Sequence, residues 1–416
     1  MTYGTRRCHH GGRAQALDRI CLVSCLLGCL MFPHVRAQGP VAEPERNRAR
    51  ALVERLDGKT QTSQVAAAGA SQPALLERGT AADERVGPRV DESGKAPRNT
   101  INSADASLAS VRAAVERALP PLQKSLVVYA EKRDCFSCHN QTVPLVALKI
   151  ARARGLTIDE DAFKGAVELT LADLESALND YRKGQGQPGG ATRAAYALWA
   201  LELGNHPPDP TTGAVVEFLL GTDRARDHWT TSSRRWPMEA SHFTTTALAL
   251  RGLRAFAAKG QSDVVKDRVA QARSWLAKSP PADTEDRVFR LWGLKSASAS
   301  PEEIKPAVNE LLASQRTDGG WAQIDRLASD PYATGSALVA LHEAGGFAAD
   351  DPAYRRGLAF LVGSQKNDGT WFVASRSKPF QPYFESGFPY GKDQFIAVAA
   401  SGWATAALAL ALPTVP

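Results

Sequence analysis

Cys135, Cys138 and His139 stand in the run Asp134-Cys135-Phe136-Ser137-Cys138-His139-Asn140, two thiols three positions apart with an imidazole directly after the second. Thiols so spaced can add to the two vinyl groups of one porphyrin while the adjacent imidazole swings beneath the ring to bind iron, which is the C-x-x-C-H chemistry of c-type haem attachment. The reading predicts covalent haem c, tethered by Cys135 and Cys138, with His139 as proximal iron ligand. Two other chemistries use the same residues: a redox-active or structural C-x-x-C disulfide, in which His139 is incidental, and half of a zinc site, for which two further ligands are lacking nearby.

A cytochrome ordinarily needs a second axial ligand. Met238 is the only methionine beyond residue 37, and it lies in Arg234-Arg235-Trp236-Pro237-Met238-Glu239-Ala240-Ser241-His242-Phe243, which also carries His242, with His228 just upstream. Met238 and His242 are the distal-ligand candidates, and the arginines could pair with haem propionates. The plainer readings are that Met238 fills a gap in the core and that His242 starts a buried helix; a five-coordinate iron stays open.

The elements that must position these residues begin after a leader. Arg6, Arg7, Arg13 and Arg19 precede an apolar run over 20–32, and Val35-Arg36-Ala37 offers small residues suited to signal peptidase, so residues 1–37 read as a signal peptide and the chain as exported, in the periplasm or its equivalent. Leu26-Leu27-Gly28-Cys29 resembles a lipobox, which gives the rival of a lipid anchor on Cys29. The apolar run is too short to cross a bilayer comfortably, so no transmembrane span is expected. Cleavage after Ala37 would remove Cys8, Cys21, Cys25 and Cys29, leaving only the pair at 135 and 138 and no disulfide framework. It would also lower the formal charge from +6 to about +2, which gives nucleic-acid binding no support.

Residues 38–104, rich in Ala, Arg, Glu, Gln, Gly and Pro and nearly free of aromatic side chains, read as a disordered linker. Beyond it the chain repeats. Apolar, small-residue segments recur around Leu148, Leu198, Leu250, Leu291, Leu338 and Leu408, the last interval being stretched by an insertion. Between them lie amphipathic stretches such as 264–278, where Val265, Val269, Ala272 and Leu276 share one helical face. One helix set must be buried on both sides and the other must face outwards, which a closed double ring of helices satisfies. The fold expected is all-α, an α/α toroid of about six repeats over 141–416. A helical, haem-bearing segment over 105–140, broken or kinked at Pro120-Pro121, is expected to pack on the ring.

Two turns read almost alike: Leu312-Ala-Ser-Gln-Arg-Thr-Asp-Gly-Gly-Trp321 and Leu361-Val-Gly-Ser-Gln-Lys-Asn-Asp-Gly-Thr-Trp371. Gly319 and Gly369 can take the left-handed backbone that stops a helix, Asp318 and Asp368 can accept backbone bonds in the turn, and each Trp can cover a helix end. This Q-x-x-D-G-x-W pattern resembles the repeat of the prenyltransferase and squalene-cyclase superfamily, which implies the α/α toroid. Gly221-Thr-Asp-Arg-Ala-Arg-Asp-His-Trp229 keeps only the Trp, and Ser279-Pro-Pro-Ala-Asp-Thr-Glu285 keeps nothing.

In that superfamily the cyclases protonate an alkene with a D-x-D-D acid in an aromatic cavity. No D-x-D-D occurs here, and the nearest run, Asp159-Glu160-Asp161, reads as a helix start. The zinc of the protein prenyltransferases would need a cysteine that the repeats lack. Terpene cyclase activity is therefore not supported. The insertion at 372–395, with Phe380, Tyr383, Phe384, Phe388, Tyr390 and Phe395, reads as a lid over the ring's mouth or as packing over an exposed core. The function expected is an exported c-type haem protein for electron transfer or redox or gas sensing, with a redox partner the sequence does not name. The alternatives are an enzyme or binding protein for an isoprenoid-like apolar ligand in the toroid, and a protein-interaction scaffold.

Overall fold

The computed structural model describes residues 106–379 and 381–414. The signal peptide expected over 1–37, the linker expected over 38–104, Cys29 and Phe380 lie outside the described residues. Those described contain helices and no strand, only an isolated bridge between Arg235 and Glu239.

Six helices form an inner ring: α2 (Val143–Ala153), α5 (Gly190–Leu203), α7 (His242–Phe256), α9 (Thr284–Ser296), α11 (Pro331–Glu343) and α13 (Gln394–Leu410). Each packs on the next, and α13 closes on α2. They are the apolar segments of the repeat, and they are buried on nearly every side. In α13 every residue from Ile396 to Leu410 is buried. The same helix supplies the stretch Gly391–Leu410, which is long and apolar enough to cross a membrane, yet 89% of its apolar window is inside the protein, as for a core helix.

The outer helices are α1 (Leu108–Lys132), α3 (Glu160–Ser176), the short α4 (Leu178–Arg182) with α6 (Pro210–Gly221), α8 (Ser262–Lys278), α10 (Pro301–Ala313) and α12 (Pro352–Ser364). Their starts follow from the sequence: Asp209, Ser300 and Asp351 cap helices whose first residue is proline, a position where the missing N–H costs nothing. In α8, Ala272 and Leu276 are buried and Val265 and Val269 lie against the core, as the spacing predicts. This double ring is an α/α toroid.

The repeated turns explain how the rings lock. Trp229, Trp321 and Trp371 are fully buried, and each donates its indole N–H to a carbonyl ten residues earlier at 2.8 Å: Leu219, Leu311 and Leu361. Each thereby satisfies a carbonyl in the last turn of the preceding outer helix. Trp321 and Trp371 also receive backbone support from the next inner helix, through Thr334 and Ser401. Gly319 and Gly369 hold φ of +85° and +82°, and a Cβ on either would collide with a carbonyl oxygen of the following outer helix, Arg356 in one case and Arg117 in the other. Gln315 and Gln365 donate across the same junctions, to Ala353 and Ala114.

Arg117 and Ala114 belong to α1, so the final turn locks onto the segment that precedes the cysteines. Two expectations change. The π-helical turn Cys138–Thr142 runs across the expected boundary at 140, and α1 occupies an outer-ring place against α3, α12 and α13. Nor is α1 broken: it continues through Pro120 and Pro121 as one helix of 25 residues. Ala118, Leu119 and Leu122 are held in the core on both sides of the prolines, which themselves face outwards, so tertiary packing overrides the local penalty.

Candidate functional site

The Cys135–His139 loop is fixed between α1 and the π-turn. Ser137 accepts from the Asn140 backbone and donates its own N–H to Gln141 at 2.7 Å, while Asn140 exchanges two bonds with Ser125 of α1 and Thr142 bonds to the Tyr196 carbonyl of α5. Phe136 and Cys138 are buried beneath.

The two thiols are free and point into different surroundings. The Cys135 sulfur lies 3.8 Å from the Tyr129 hydroxyl. Cys138 is pushed well above the usual thiol range by burial and then by the facing Glu239 carboxylate. His139 sits with its ring edge-on to Phe395, centroids 5.2 Å apart, and both ring nitrogens within 3.2 Å of the Ser137 hydroxyl. Burial, with Arg235 adding to it, lowers its pKa to about 3, so the imidazole is neutral at any ordinary pH.

His139 lines a cavity of about 520 Å³ at the end of the toroid where the inner helices begin. The insertion at 372–395 supplies most of its wall. Tyr383, Phe384 and Phe395 of the insertion, with Trp236, give aromatic surface, and Pro379 and Pro382 add to it. The insertion is anchored: Phe384 packs edge-on with Tyr129 and under the Arg133 guanidinium, and Ser375 donates its N–H to Asp393 at the start of α13. Interspersed among the apolar groups are Arg235, Arg326, Arg376, Lys378 and Lys392.

Directly behind this wall lies a group of buried carboxyls at the starts of α7, α9 and α11. Glu239 pairs with Arg235. Glu285 is fully enclosed, bonded at 3.0 Å to both the Thr244 and Tyr332 hydroxyls, and burial, with Asp283 next, raises its pKa to about 8. Asp330, the cap of α11, is raised to about 6, again by burial. Arg376 bridges wall and carboxyls: it bonds Gln323 at 3.0 Å and feels the charges of Asp283 and Asp330. Sequence reasoning passed over this group, although Asp283-Thr284-Glu285-Asp286 differs from D-x-D-D by one methylene. Scanning for the literal motif hid it.

Of the predicted site residues, only His139 faces the cavity. The wall includes neither Cys135 nor Cys138. Met238 is in the core, and His242 is exposed at the start of α7, accepting the Thr231 N–H at 3.0 Å. The segment 234–243 does come to His139, but through Arg235 and Trp236. Among the described residues no three of His, Cys, Asp and Glu gather to hold a metal ion.

No known protein family and no curated protein matches the chain. Solved structures do. An Asp-to-Ala variant of the type II terpene cyclase MstE from Scytonema, in complex with its product merosterolic acid A, is 13% identical with a TM-score of 0.48, over 74% of this chain and 98% of its own. An Asp-to-Asn variant of the same enzyme, with geranylgeranyl dihydroxybenzoate as substrate, is 11% identical over the same shares, also at 0.48. A protein from Actinoplanes is 14% identical with a TM-score of 0.46, over 73% of this chain and 100% of its own. At such identities the likeness is one of shape.

The function expected from the motif is corrected at this point. The chain was read as a haem protein for electron transfer or redox or gas sensing, whereas two of the solved structures similar to it in shape are of a type II terpene cyclase.

Proposed function

We propose that the protein binds an isoprenoid-like apolar molecule at the mouth of its toroid, beneath the insertion at 372–395. The observation that carries this is the cavity of about 520 Å³ between Trp236, Tyr383, Phe384 and Phe395. Its size falls within the ordinary range of small-molecule sites, and six aromatic or proline side chains share its wall with charged and polar groups that can orient the guest. Burying a polyene against these aromatic rings gains about 25 cal/mol for each Å² removed from water, against the cost of fixing the guest.

Binding, rather than cyclisation, is the reading the site favours. Protonating an alkene needs a strong acid, and a carboxyl whose pKa is raised to about 8, as at Glu285, gives up its proton reluctantly. Glu285 is also enclosed by Thr244 and Tyr332. The cavity wall carries five cationic side chains, which would raise the energy of a carbocation.

The test is a titration of the purified chain with geranylgeraniol, followed by the fluorescence of Trp236 and corrected with Trp236→Phe. Saturable quenching that weakens at least tenfold in Phe384→Ala/Phe395→Ala supports the reading; no saturation up to the solubility limit refutes it. Covalent haem c on Cys135 and Cys138 is a separate proposal about a cofactor, and the absorption spectrum of the same preparation, made in a host with cytochrome c maturation, decides it. Export is likewise a proposal, read by fractionating cells that carry the tagged chain.

A further inference from the structure

We infer that Cys135 and Cys138 form a thiol–disulfide exchange site, in which Cys135 attacks a disulfide from outside and Cys138, with Glu239 as proton acceptor, resolves the mixed disulfide. The inference goes beyond the cavity and the molecule held there, since neither thiol belongs to the cavity wall. Both sulfurs are free, and they are the only cysteines among the described residues. The two are held differently. Cys135 is half-buried on a bend of the irregular stretch between the end of α1 and the π-turn, where a partner can reach it. The Tyr129 hydroxyl, 3.8 Å from its sulfur, is placed to donate to a thiolate there. Cys138 is 5% exposed and opens the π-turn, whose next residues are pinned, Asn140 to Ser125 of α1 and Thr142 to Tyr196 of α5. An outside disulfide therefore meets Cys135 first.

The Cys138 thiol lies within hydrogen-bonding reach of the Glu239 carboxylate, which is itself buried and paired with Arg235. A carboxylate beside a buried thiol can take its proton where water does not reach. The steps balance. The Cys135 sulfur, having given up its proton, bonds to one sulfur of the incoming disulfide; the S–S bond of that disulfide breaks, and its other half leaves as a thiol with the proton. Cys138 then passes its proton to Glu239 and attacks the Cys135 sulfur. The mixed disulfide breaks, the Cys135–Cys138 bond forms, and the second thiol leaves with the proton held by Glu239. Two thiols of the chain are oxidised and one outside disulfide is reduced to two thiols. Closing the bond brings the two sulfurs to about 2 Å, a movement supplied by the irregular stretch before the π-turn.

The experiment incubates the full chain, from a host without cytochrome c maturation, with oxidised glutathione and follows it by mass spectrometry with peptide mapping. The wild type is expected to end with a bond between Cys135 and Cys138 and no glutathione on either. Cys138→Ser should stop with glutathione on Cys135, and Cys135→Ser should leave Cys138 unmodified. Glu239→Gln should form the glutathione adduct at the wild-type rate and resolve it at least about tenfold more slowly, a split that a merely structural role would not produce. Resolution at the wild-type rate in Glu239→Gln overturns the role given to Glu239. Separate adducts on both cysteines, an adduct on Cys138 that Cys135 resolves, or no reaction in a native chain whose thiols react after unfolding in urea overturns the site as a whole. Covalent haem on the same sulfurs, in protein from a maturation-competent host, also overturns it, because thioether sulfurs cannot exchange.

Discussion

Replacing Glu285 by glutamine should make the stability of the protein less sensitive to pH, and by an amount the structure fixes. The Glu285 carboxyl is fully enclosed, with Thr244 and Tyr332 as its partners, and burial raises its pKa from 4.5 to about 8. A carboxyl whose folded pKa lies above its unfolded one binds a proton more readily in the native state. Its contribution is therefore present below the unfolded value and is lost as the pH rises towards the folded one. At pH 5 the unfolded chain is already about three-quarters ionised at this position, while the native state is protonated. By pH 8 it is fully ionised there, while the native state is still half protonated. Integrating between these limits gives a loss of about 3–4 kcal/mol from this one group. Glutamine keeps the shape and can still bond both hydroxyls, but has nothing to ionise. Urea unfolding of wild type and Glu285→Gln at pH 5, 6, 7 and 8 should show the variant gaining on the wild type by about 3–4 kcal/mol across the series. Parallel curves would refute the reasoning, since they would mean that Glu285 is solvated or ionised in the native protein.

Other expectations follow from the ring junctions and the loop. Gly369→Ala places a Cβ against the Arg117 carbonyl at a φ of +82°, and should cost at least about 1–3 kcal/mol and loosen α1, seen as faster amide exchange over 108–132. Trp371→Phe removes the 2.8 Å bond to the buried end of α12 and should cost about 1–3 kcal/mol in thermal or urea unfolding. Ser125→Ala breaks the exchange with Asn140 that holds the cysteine loop against α1, so Cys138 should react faster with a thiol reagent than in wild type. Under the separate proposal of haem c on the cysteines, protein from a maturation-competent host should carry covalent haem that Cys135→Ala/Cys138→Ala removes, read in the absorption spectrum.

Much of the fold could be read from residue order because its signals are periodic and local. The six inner helices coincide with the apolar segments around Leu148 to Leu408, since a helix buried on all sides must be apolar on all sides. The turns at Gly319 and Gly369 announced themselves through residues that only such turns require. The same logic failed where tertiary contacts decide. Pro120 and Pro121 argue locally for a break, but Leu119 and Leu122 are pinned in the core, and the helix continues. Trp229 keeps its carbonyl partner without the rest of the turn motif, because Thr246 of the next inner helix exchanges two bonds with its backbone and holds it in place.

The site was less legible than the fold. His139 was singled out and does border the cavity, but the wall residues Arg326, Arg376 and Phe395 come from turns and an insertion that only the closed ring brings together. The cysteine spacing gave a sharp chemical expectation from three residues. Spacing does not report which way a side chain turns once Asn140 and Thr142 have fixed the loop. The carboxyls behind Arg376 went unseen because their unusual proton affinity arises from burial, which has no signature in the order of residues.

The most direct measurement is photolabelling of the full chain with a diazirine-bearing geranylgeranyl probe, followed by peptide mapping. The account predicts labels within 375–395 and at Trp236, competed away by unlabelled ligand and lost in Phe384→Ala/Phe395→Ala. Labels confined to the outer helices, or insensitive to competitor, would contradict it.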